Sequence, residues 1–88
     1  MRVKFFATAR EIAGRRSIEV EAATVGEALQ RAVEKIGPRL GEYLFQDGKI
    51  RDGLAVLLNG RHIAFLGGLE AEVGEGDEVT VFPRVVGG

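Results

Sequence analysis

The residue types that point most directly to chemistry lie at the end of the sequence, where Val85 and Val86 are followed by Gly87 and Gly88. A carboxylate is a poor acyl donor because its oxygen is a poor leaving group, so it must first be activated by another enzyme, for example as an acyl-adenylate. Glycine has no Cβ, so a Gly-Gly end allows the close backbone approach that a narrow active site requires. The sequence predicts that the Gly88 carboxylate is the reactive group. Arg84, Val85, Val86 and Gly87 are then the segment that threads into a partner's channel.

The rest of the composition excludes most other reactive groups. The 88 residues contain no Cys and one His, which excludes a disulfide scaffold, a thiolate zinc site, a thiol nucleophile and a His cluster. His62 forms no recognisable catalytic pattern with a Ser or a second His, and no complete dinucleotide or Walker-type glycine motif is present. We therefore expect a protein that is not itself an enzyme and that binds no metal and no cofactor of its own.

Charge and hydropathy narrow the class of partner. The chain has 12 Lys and Arg against 13 Asp and Glu, a formal net charge of −1, whereas a nucleic-acid module normally has a basic excess. No stretch approaches the ~18–20 apolar residues that span a bilayer. Charges interrupt the apolar residues at the start of the chain, unlike those of a secretory signal. We expect a cytoplasmic protein that binds neither nucleic acid nor membrane.

Hydrophobic periodicity predicts one domain over residues 1–83, followed by a tail over residues 84–88. Thr24 and Glu27 have the spacing of a capping box, in which each side chain satisfies a free N–H group of the first helical turn. Apolar residues then recur every three or four positions until a Gly-Pro pair, which ends helices. The main helix is therefore expected over residues 25–36.

Strand patterns surround this helix. The Asn59-Gly60 pair predicts a two-residue hairpin turn, because a type I′ turn needs positive φ at both central positions. We expect a short helical piece within 38–53 and strands over 2–8, 17–21, 54–58, 61–65 and 78–82. The predicted fold class is α+β, with a mixed sheet packed on one main helix, and the helical connection is expected to bring the first strand beside the next strand group.

The alternation of side chains along these strands predicts two different faces. The register set by the turn predicts a core face with Leu54, Val56, Ile63 and Phe65. The opposite face is predicted to carry Phe6, Leu57, His62 and Phe82. A single long helix covers one face only, and an exposed apolar patch usually marks a partner surface. The alternative is that the segment 38–53 folds over part of this second face.

Motifs in a fixed order carry a resemblance over the whole chain. The chain resembles the small subunit of molybdopterin synthase (MoaD) and its archaeal ubiquitin-like modifier relatives, which implies a ubiquitin-like β-grasp fold. The motifs are Phe5-Phe6-Ala7, Arg10-Glu11-Ile12-Ala13-Gly14, Leu58-Asn59-Gly60, Gly76-Asp77-Glu78-Val79, Phe82-Pro83 and Gly87-Gly88.

The resemblance implies a function for the end of the chain. A ubiquitin-activating-type partner uses ATP to adenylate Gly88, which is then converted to a thiocarboxylate. Sulfur passes to a cyclic pyranopterin precursor in a complex with the large subunit of molybdopterin synthase. Relatives serve tRNA thiolation or thiamine synthesis instead, and some form isopeptide bonds with protein lysines. A plain β-grasp binding module, in which Gly88 is idle, is a further alternative that the residues leave open.

One position departs from the family pattern. The family usually reads Phe-Pro-Pro-Val-x-Gly-Gly, and here Arg84 stands in place of the second proline and Val86 in place of a small residue. Proline restricts the backbone, so Arg84 is expected to loosen the tail and to add a charge. The reactive end is unchanged, but the choice of partner becomes an open question.

Overall fold

The computed structural model describes residues 1–84 and contains a five-stranded mixed sheet with the strand order β2-β1-β7-β5-β6. A separate two-stranded hairpin is formed by β3 and β4. The strands are β1 (Arg2–Phe5), β2 (Ser17–Glu19), β3 (Phe45–Gln46), β4 (Lys49–Ile50), β5 (Leu54–Leu58), β6 (Arg61–His62) and β7 (Glu78–Pro83). The helices are α1 (Thr8–Ala13), α2 (Val25–Ile36) and α3 (Pro38–Leu44), with two 3₁₀ turns at Ile63–Phe65 and Gly68–Glu70.

The last strand lies in the middle of the sheet. β7 pairs in parallel with β1 and antiparallel with β5, so it separates the first strand from the strand group that follows the helices. The expectation that the helical connection brings these two regions side by side is therefore wrong. The pairing of β1 with β7 joins the two ends of the chain and has no local sequence signal. The helix α2 does have one, in its capping residues.

The helix α2 forms over the predicted residues because its caps are complete. The hydroxyl of Thr24 accepts a hydrogen bond from the Glu27 N–H at 3.1 Å, and the Glu27 carboxylate accepts one from the Ala23 N–H at 3.1 Å. Both bonds satisfy N–H groups that the helix itself leaves free. At the other end, Gly37 takes a φ of 135° and its N–H bonds to the Val33 carbonyl.

The core lies between the sheet and the three helices. Val3 and Phe5 of β1 and Leu29 of α2 are fully buried there, together with Leu40 and Leu44 of α3. Because α3 packs into this core, the beginning of the segment 38–53 lies on the helix side of the sheet and not over its second face.

Three predicted strands, β1, β2 and β6, are shorter than expected. Two of them, β1 and β6, end at a local backbone feature. β1 stops at Phe5, and Ala7, which lies within the predicted strand 2–8, is exposed and has a φ of 54° that strand backbone does not adopt. β6 stops at His62, whose ring Nδ1 accepts a hydrogen bond from the Ala64 N–H at 3.1 Å and begins a 3₁₀ turn. Phe65 therefore leaves the core face and is 87% exposed, so its predicted place in the core is wrong.

The other predicted residues belong either to the core face or to the end of the chain. Val56 and Ile63 are buried in the core as expected, and Leu54 is half-buried against it. The residues Val85, Val86, Gly87 and Gly88 lie outside the described residues. Within residues 1–84, no helix has the length and apolar character needed to cross a membrane.

Candidate functional site

The face of the sheet opposite the helices brings the predicted aromatic residues together. Phe5 pairs with Val81 in the parallel register, and the Phe6 N–H donates to the Val81 carbonyl at 3.0 Å. This continued register places Phe6 beside Phe82, and Phe82 is opposite Ala55 on β5. The three outward residues form a row across three strands, which we call the aromatic row (Phe6, Phe82, Ala55).

A second row lies one step further along the strands. Leu57 pairs with Thr80 on one side and with His62 on the other, and Thr80 pairs with Lys4. Together with the aromatic row, these residues make up the outer face (Lys4, Phe6, Ala55, Leu57, His62, Thr80, Phe82). All four residues predicted for the second face therefore lie on one continuous surface.

The outer face is less exposed than the sequence predicts. Phe6 is 38% exposed, whereas Leu57, His62 and Phe82 are half-buried. Ala55 is 4% exposed, although it does not belong to the core cluster. Large outward side chains in adjacent strands cover one another and the small alanine between them, which accounts for the reduced exposure.

Two cations flank the aromatic row. The Lys4 ammonium lies 5.4 Å and the Arg10 guanidinium 5.5 Å from the centroid of the Phe6 ring. Both distances are within the range of a cation–π contact. Lys4 also lies 3.8 Å from a carboxylate oxygen of Glu78. The exposed ring therefore presents an apolar surface with positive charge beside it.

Phe65 lies at the edge of the outer face, where the sequence analysis did not predict an aromatic residue. The Phe65 ring packs edge-on against the His62 ring, with centroids 6.3 Å apart and an angle of 79°. The strand pattern assigned Phe65 to the core because it assumed that β6 continues to residue 65. The side-chain hydrogen bond of His62 that ends the strand leaves no periodic signal in the sequence.

The backbone of Arg84 is held at the end of β7. Its N–H donates to the Gly53 carbonyl at 2.7 Å, which extends the pairing of β7 with the segment before β5 by one residue. Proline has no N–H and could not form this bond. The expectation that Arg84 loosens the chain is therefore wrong for its own backbone. The chain is held in place up to the residue before Val85.

The start of β7 is also held by side chains. The Asn59 side-chain amide donates to Asp77 at 3.0 Å, the Gly74 N–H donates to the same carboxylate at 2.7 Å, and the Glu78 N–H donates to Asn59 at 2.9 Å. The bonds from Asn59 and Gly74 lower the pKa of Asp77 from its ordinary value of 3.8. This cluster joins the type I′ turn, where Asn59 and Gly60 have φ of 49° and 87°, to the strand that leads to Arg84.

A comparison of the sequence with protein-family models identifies the family. The model of the ThiS family matches residues 3–88, almost the whole chain.

This chain belongs to the ThiS family.

Curated relatives and solved structures agree with this assignment. The chain is 40% identical over 91 residues to small archaeal modifier protein 3 of Haloferax volcanii, covering 100% of this chain and 98% of the relative. It is 35% identical over 71 residues to a putative sulfur carrier protein of Archaeoglobus fulgidus, covering 81% of each. A chain in the crystal structure of the BexX/CysO complex of Amycolatopsis orientalis superposes with a TM-score of 0.87 and 32% identity, covering 99% of this chain and 98% of that one.

These matches confirm the predicted ubiquitin-like β-grasp fold and the resemblance to MoaD-like sulfur carriers. As a member of the ThiS family, the protein is a small ubiquitin-like sulfur carrier or modifier. Among residues 1–84, no group of three or more His, Cys, Asp or Glu side chains is placed to hold a metal ion.

Proposed function

We propose that this protein carries sulfur on the carboxyl group of Gly88. An activating enzyme of the ubiquitin-activating type adenylates this group, and a sulfur donor then converts it to a thiocarboxylate. The observation that carries the proposal is the family match, which runs through Gly88. The bond between Arg84 and Gly53 supports it, because it fixes the residue that precedes the last four at the end of β7.

Neither the adenylation nor the formation of the thiocarboxylate requires an acid or a base from this chain. In the first step a carboxylate oxygen attacks the α-phosphorus of ATP, a mixed anhydride forms and pyrophosphate leaves. In the second step a sulfide equivalent from the sulfur donor attacks the carbonyl carbon, and the C–S bond replaces the bond to AMP. The part of this protein is to bind the activating enzyme through the outer face, at a distance from the reacting carbon.

The finer assignment concerns the acceptor of the sulfur. We propose the cyclic pyranopterin precursor of the molybdenum cofactor, with this chain as the small subunit of molybdopterin synthase. The residues that support this choice are those that resemble that subunit, from Phe5-Phe6-Ala7 to Phe82-Pro83. The acceptor binds to the large subunit, and ATP is consumed by the activating enzyme.

A second candidate is conjugation of Gly88 to lysines of other proteins. It is favoured by the 40% identity to a protein named as a small archaeal modifier. The same acyl-adenylate would then react with a lysine amine, and an isopeptide bond would replace the bond to AMP. Trypsin cleaves after Arg84, so conjugates would leave Val-Val-Gly-Gly on the modified lysine.

Intact mass measurement tests the proposal. The protein is incubated with ATP, the activating enzyme from the same genome and a sulfur donor, and the expected result is the replacement of one oxygen by sulfur at the C-terminal residue. Deletion of Gly87 and Gly88 should abolish the change. Gly74→Ala is the matched control, because Gly74 has no left-handed φ and a Cβ there meets no atom within 4 Å. An unchanged mass with the intact chain and its own activating enzyme would disprove the proposal.

The acceptor is tested with the thiocarboxylated protein. Loss of sulfur only when the large subunit and the cyclic pyranopterin are both present supports the role in molybdopterin synthesis. Val-Val-Gly-Gly remnants on lysines in tryptic digests of cells support conjugation instead.

A further inference from the structure

A second surface lies at the sheet edge beyond β5, where it shares His62 with the outer face but includes no residue of the aromatic row. It is a groove with a volume of about 320 Å³, bounded on one side by Lys49–Asp52 and on the other by the segment that contains the two 3₁₀ turns. Its floor is apolar and includes Leu54, Val56, Ile63 and Leu69. This volume is at the lower end of the range for ligand sites, so it suits a few side chains of a peptide.

The edge of β5 that borders this groove has only a short partner strand. β7 pairs with β5 along Leu54–Leu58, whereas β6 pairs only with Leu57 and Leu58. No strand of the described chain therefore lies opposite Leu54–Val56 on the groove side. An unpaired strand edge is the feature to which an extended peptide adds as a new strand.

The hydrogen bonds on the other side of β5 show which backbone groups face the groove. The Arg84 N–H bonds to the Gly53 carbonyl, and the Asn59 N–H bonds to the Glu78 carbonyl. Alternate residues of an antiparallel strand point their N–H and C=O groups to opposite sides, so the odd-numbered residues face β7. The Leu54 C=O and the Val56 N–H therefore face the groove.

The charges at the groove are mostly positive. Lys49, Arg51 and Arg84 line it together with a single carboxylate, Asp52. The Arg51 guanidinium is bound to the Glu42 carbonyl at 2.7 Å. Within residues 1–84, the Lys49 ammonium and the Arg84 guanidinium form no hydrogen bond or ion pair. This local excess of positive charge contrasts with the net charge of −1 of the whole chain.

One wall of the groove is held by close packing on α2. A Cβ added at Gly26 would lie 3.2 Å from the Leu69 carbonyl oxygen and 3.3 Å from the Leu69 Cβ. The absence of a side chain at Gly26 thus allows the second 3₁₀ turn to approach the helix. The groove is therefore largely formed before any ligand binds.

We propose that this groove binds an extended acidic segment of a partner protein, which adds a strand opposite Leu54–Val56. Apolar side chains of that segment lie on the groove floor, and its carboxylates face Lys49 and Arg84. The surface is separate from the aromatic row and does not depend on the reaction at Gly88.

Titration of the ¹⁵N-labelled protein with synthetic peptides tests the proposal without any activating enzyme. The probe is the capped hexapeptide Glu-Val-Glu-Val-Glu-Val, and the control is Lys-Val-Lys-Val-Lys-Val, which has the same alternation and the opposite charge. We expect the acidic peptide to shift amide signals of Leu54–Val56 and Ile63, and to slow hydrogen exchange of the Val56 amide. Equal binding of both peptides, or shifts confined to other residues, would overturn the proposal.

Charge reversal identifies the cations that select the peptide. Lys49→Glu and Arg84→Glu should each weaken binding of the acidic peptide at least fivefold, whereas Arg15→Glu, an exposed site in the turn before β2, should leave it within twofold. Unchanged binding in both groove variants contradicts the proposal. A peptide Arg-Val-Val-Gly-Gly with a free carboxylate tests the other occupant, the tail of a second copy. Tighter binding of this peptide would replace the acidic partner by self-association.

Discussion

The two faces of the five-stranded sheet are built from the same strands and have opposite properties. In β1 and β7 the residues that point to the helices, such as Phe5 and Val81, are fully buried. The residues next to them in the sequence point outward and form the outer face, with cations beside Phe6. Adjacent residues of a strand thus lie on opposite faces. One packs in the core, and the next is available to a partner.

We therefore expect stability and recognition to be carried by different residues. Substitutions on the core face should lower the free energy of unfolding, and substitutions on the outer face should weaken binding.

The adjacent pair Phe5 and Phe6 offers the most direct test. Phe5→Ala removes a fully buried ring and should lower the free energy of unfolding by about 3–5 kcal/mol, the usual cost of such a cavity. Phe6→Ala removes a ring that is 38% exposed and should cost less than about 1.5 kcal/mol. Urea denaturation of both variants measures the difference. Equal losses would mean that the two faces do not differ in their contribution to stability.

The outer face should govern binding of the activating enzyme. Phe82→Ala is expected to weaken this binding about tenfold, which corresponds to about 1.4 kcal/mol and is a moderate effect for an aromatic interface residue. Calorimetric titration measures the affinity, and urea denaturation checks that the fold is retained. Gln30→Ala, on the exposed side of α2, is the control. If both substitutions have the same effect on affinity, the outer face is not the docking surface.

At the junction between β1 and α1, a substitution should raise the free energy of unfolding rather than lower it. Ala7 has φ of 54° and ψ of −128°, a conformation that strains a residue with a Cβ. Ala7→Gly should therefore raise the free energy of unfolding by about 1 kcal/mol, because relief of strain outweighs the added chain entropy. Thermal denaturation should show a higher midpoint, while the affinity for the activating enzyme stays unchanged. Ala64→Gly is the control. Ala64 is exposed and lies in the first 3₁₀ turn without a positive φ, so this substitution should not stabilise the protein.

The smallest effect is expected at the end of the sheet, in the cluster around Asp77. Its pKa is lowered in the folded protein by the hydrogen bonds from Asn59 and Gly74. The contribution of the ionised carboxylate is therefore complete above its ordinary, unfolded pKa of 3.8, and is lost as the pH falls through the lower folded value.

Denaturation at several pH values tests this effect. Asp77→Asn should reduce the loss of stability between pH 5 and pH 2, whereas Glu75→Gln, at a neighbouring exposed position, should change it less. If the stability of Asp77→Asn depends on pH in the same way as that of the wild type, this carboxylate does not hold the start of β7.

The sequence predicts best where the structural cause is local. The capping pattern of Thr24 and Glu27 defines α2 to the residue, and the Asn59-Gly60 pair defines the turn and the register that places Leu57 opposite His62. These elements depend on groups within a few positions of one another, so the pattern of residue types is sufficient.

The failures have distant or unusual causes. The position of β7 between β1 and β5 depends on pairing across most of the chain, which no local pattern records. The exposure of Phe65 results from a single ring nitrogen of His62 that turns the backbone out of the strand. The groove beside β5 was missed for the same reason, because the predicted strand over 61–65 would have covered its edge.

The bond between Arg84 and Gly53 also sets a length scale. Four residues follow Arg84, and a fully extended chain advances at most ~3.3–3.6 Å per residue. The Gly88 carboxylate can therefore lie no further than about 14 Å from Arg84. Within residues 1–84, the bond of Arg84 to Gly53 thus fixes the point from which this length is measured. Under the proposed function, the activating enzyme must place its nucleotide within that distance of Arg84, and we expect an added residue after Arg84 to shift the reacting carbon away from the nucleotide.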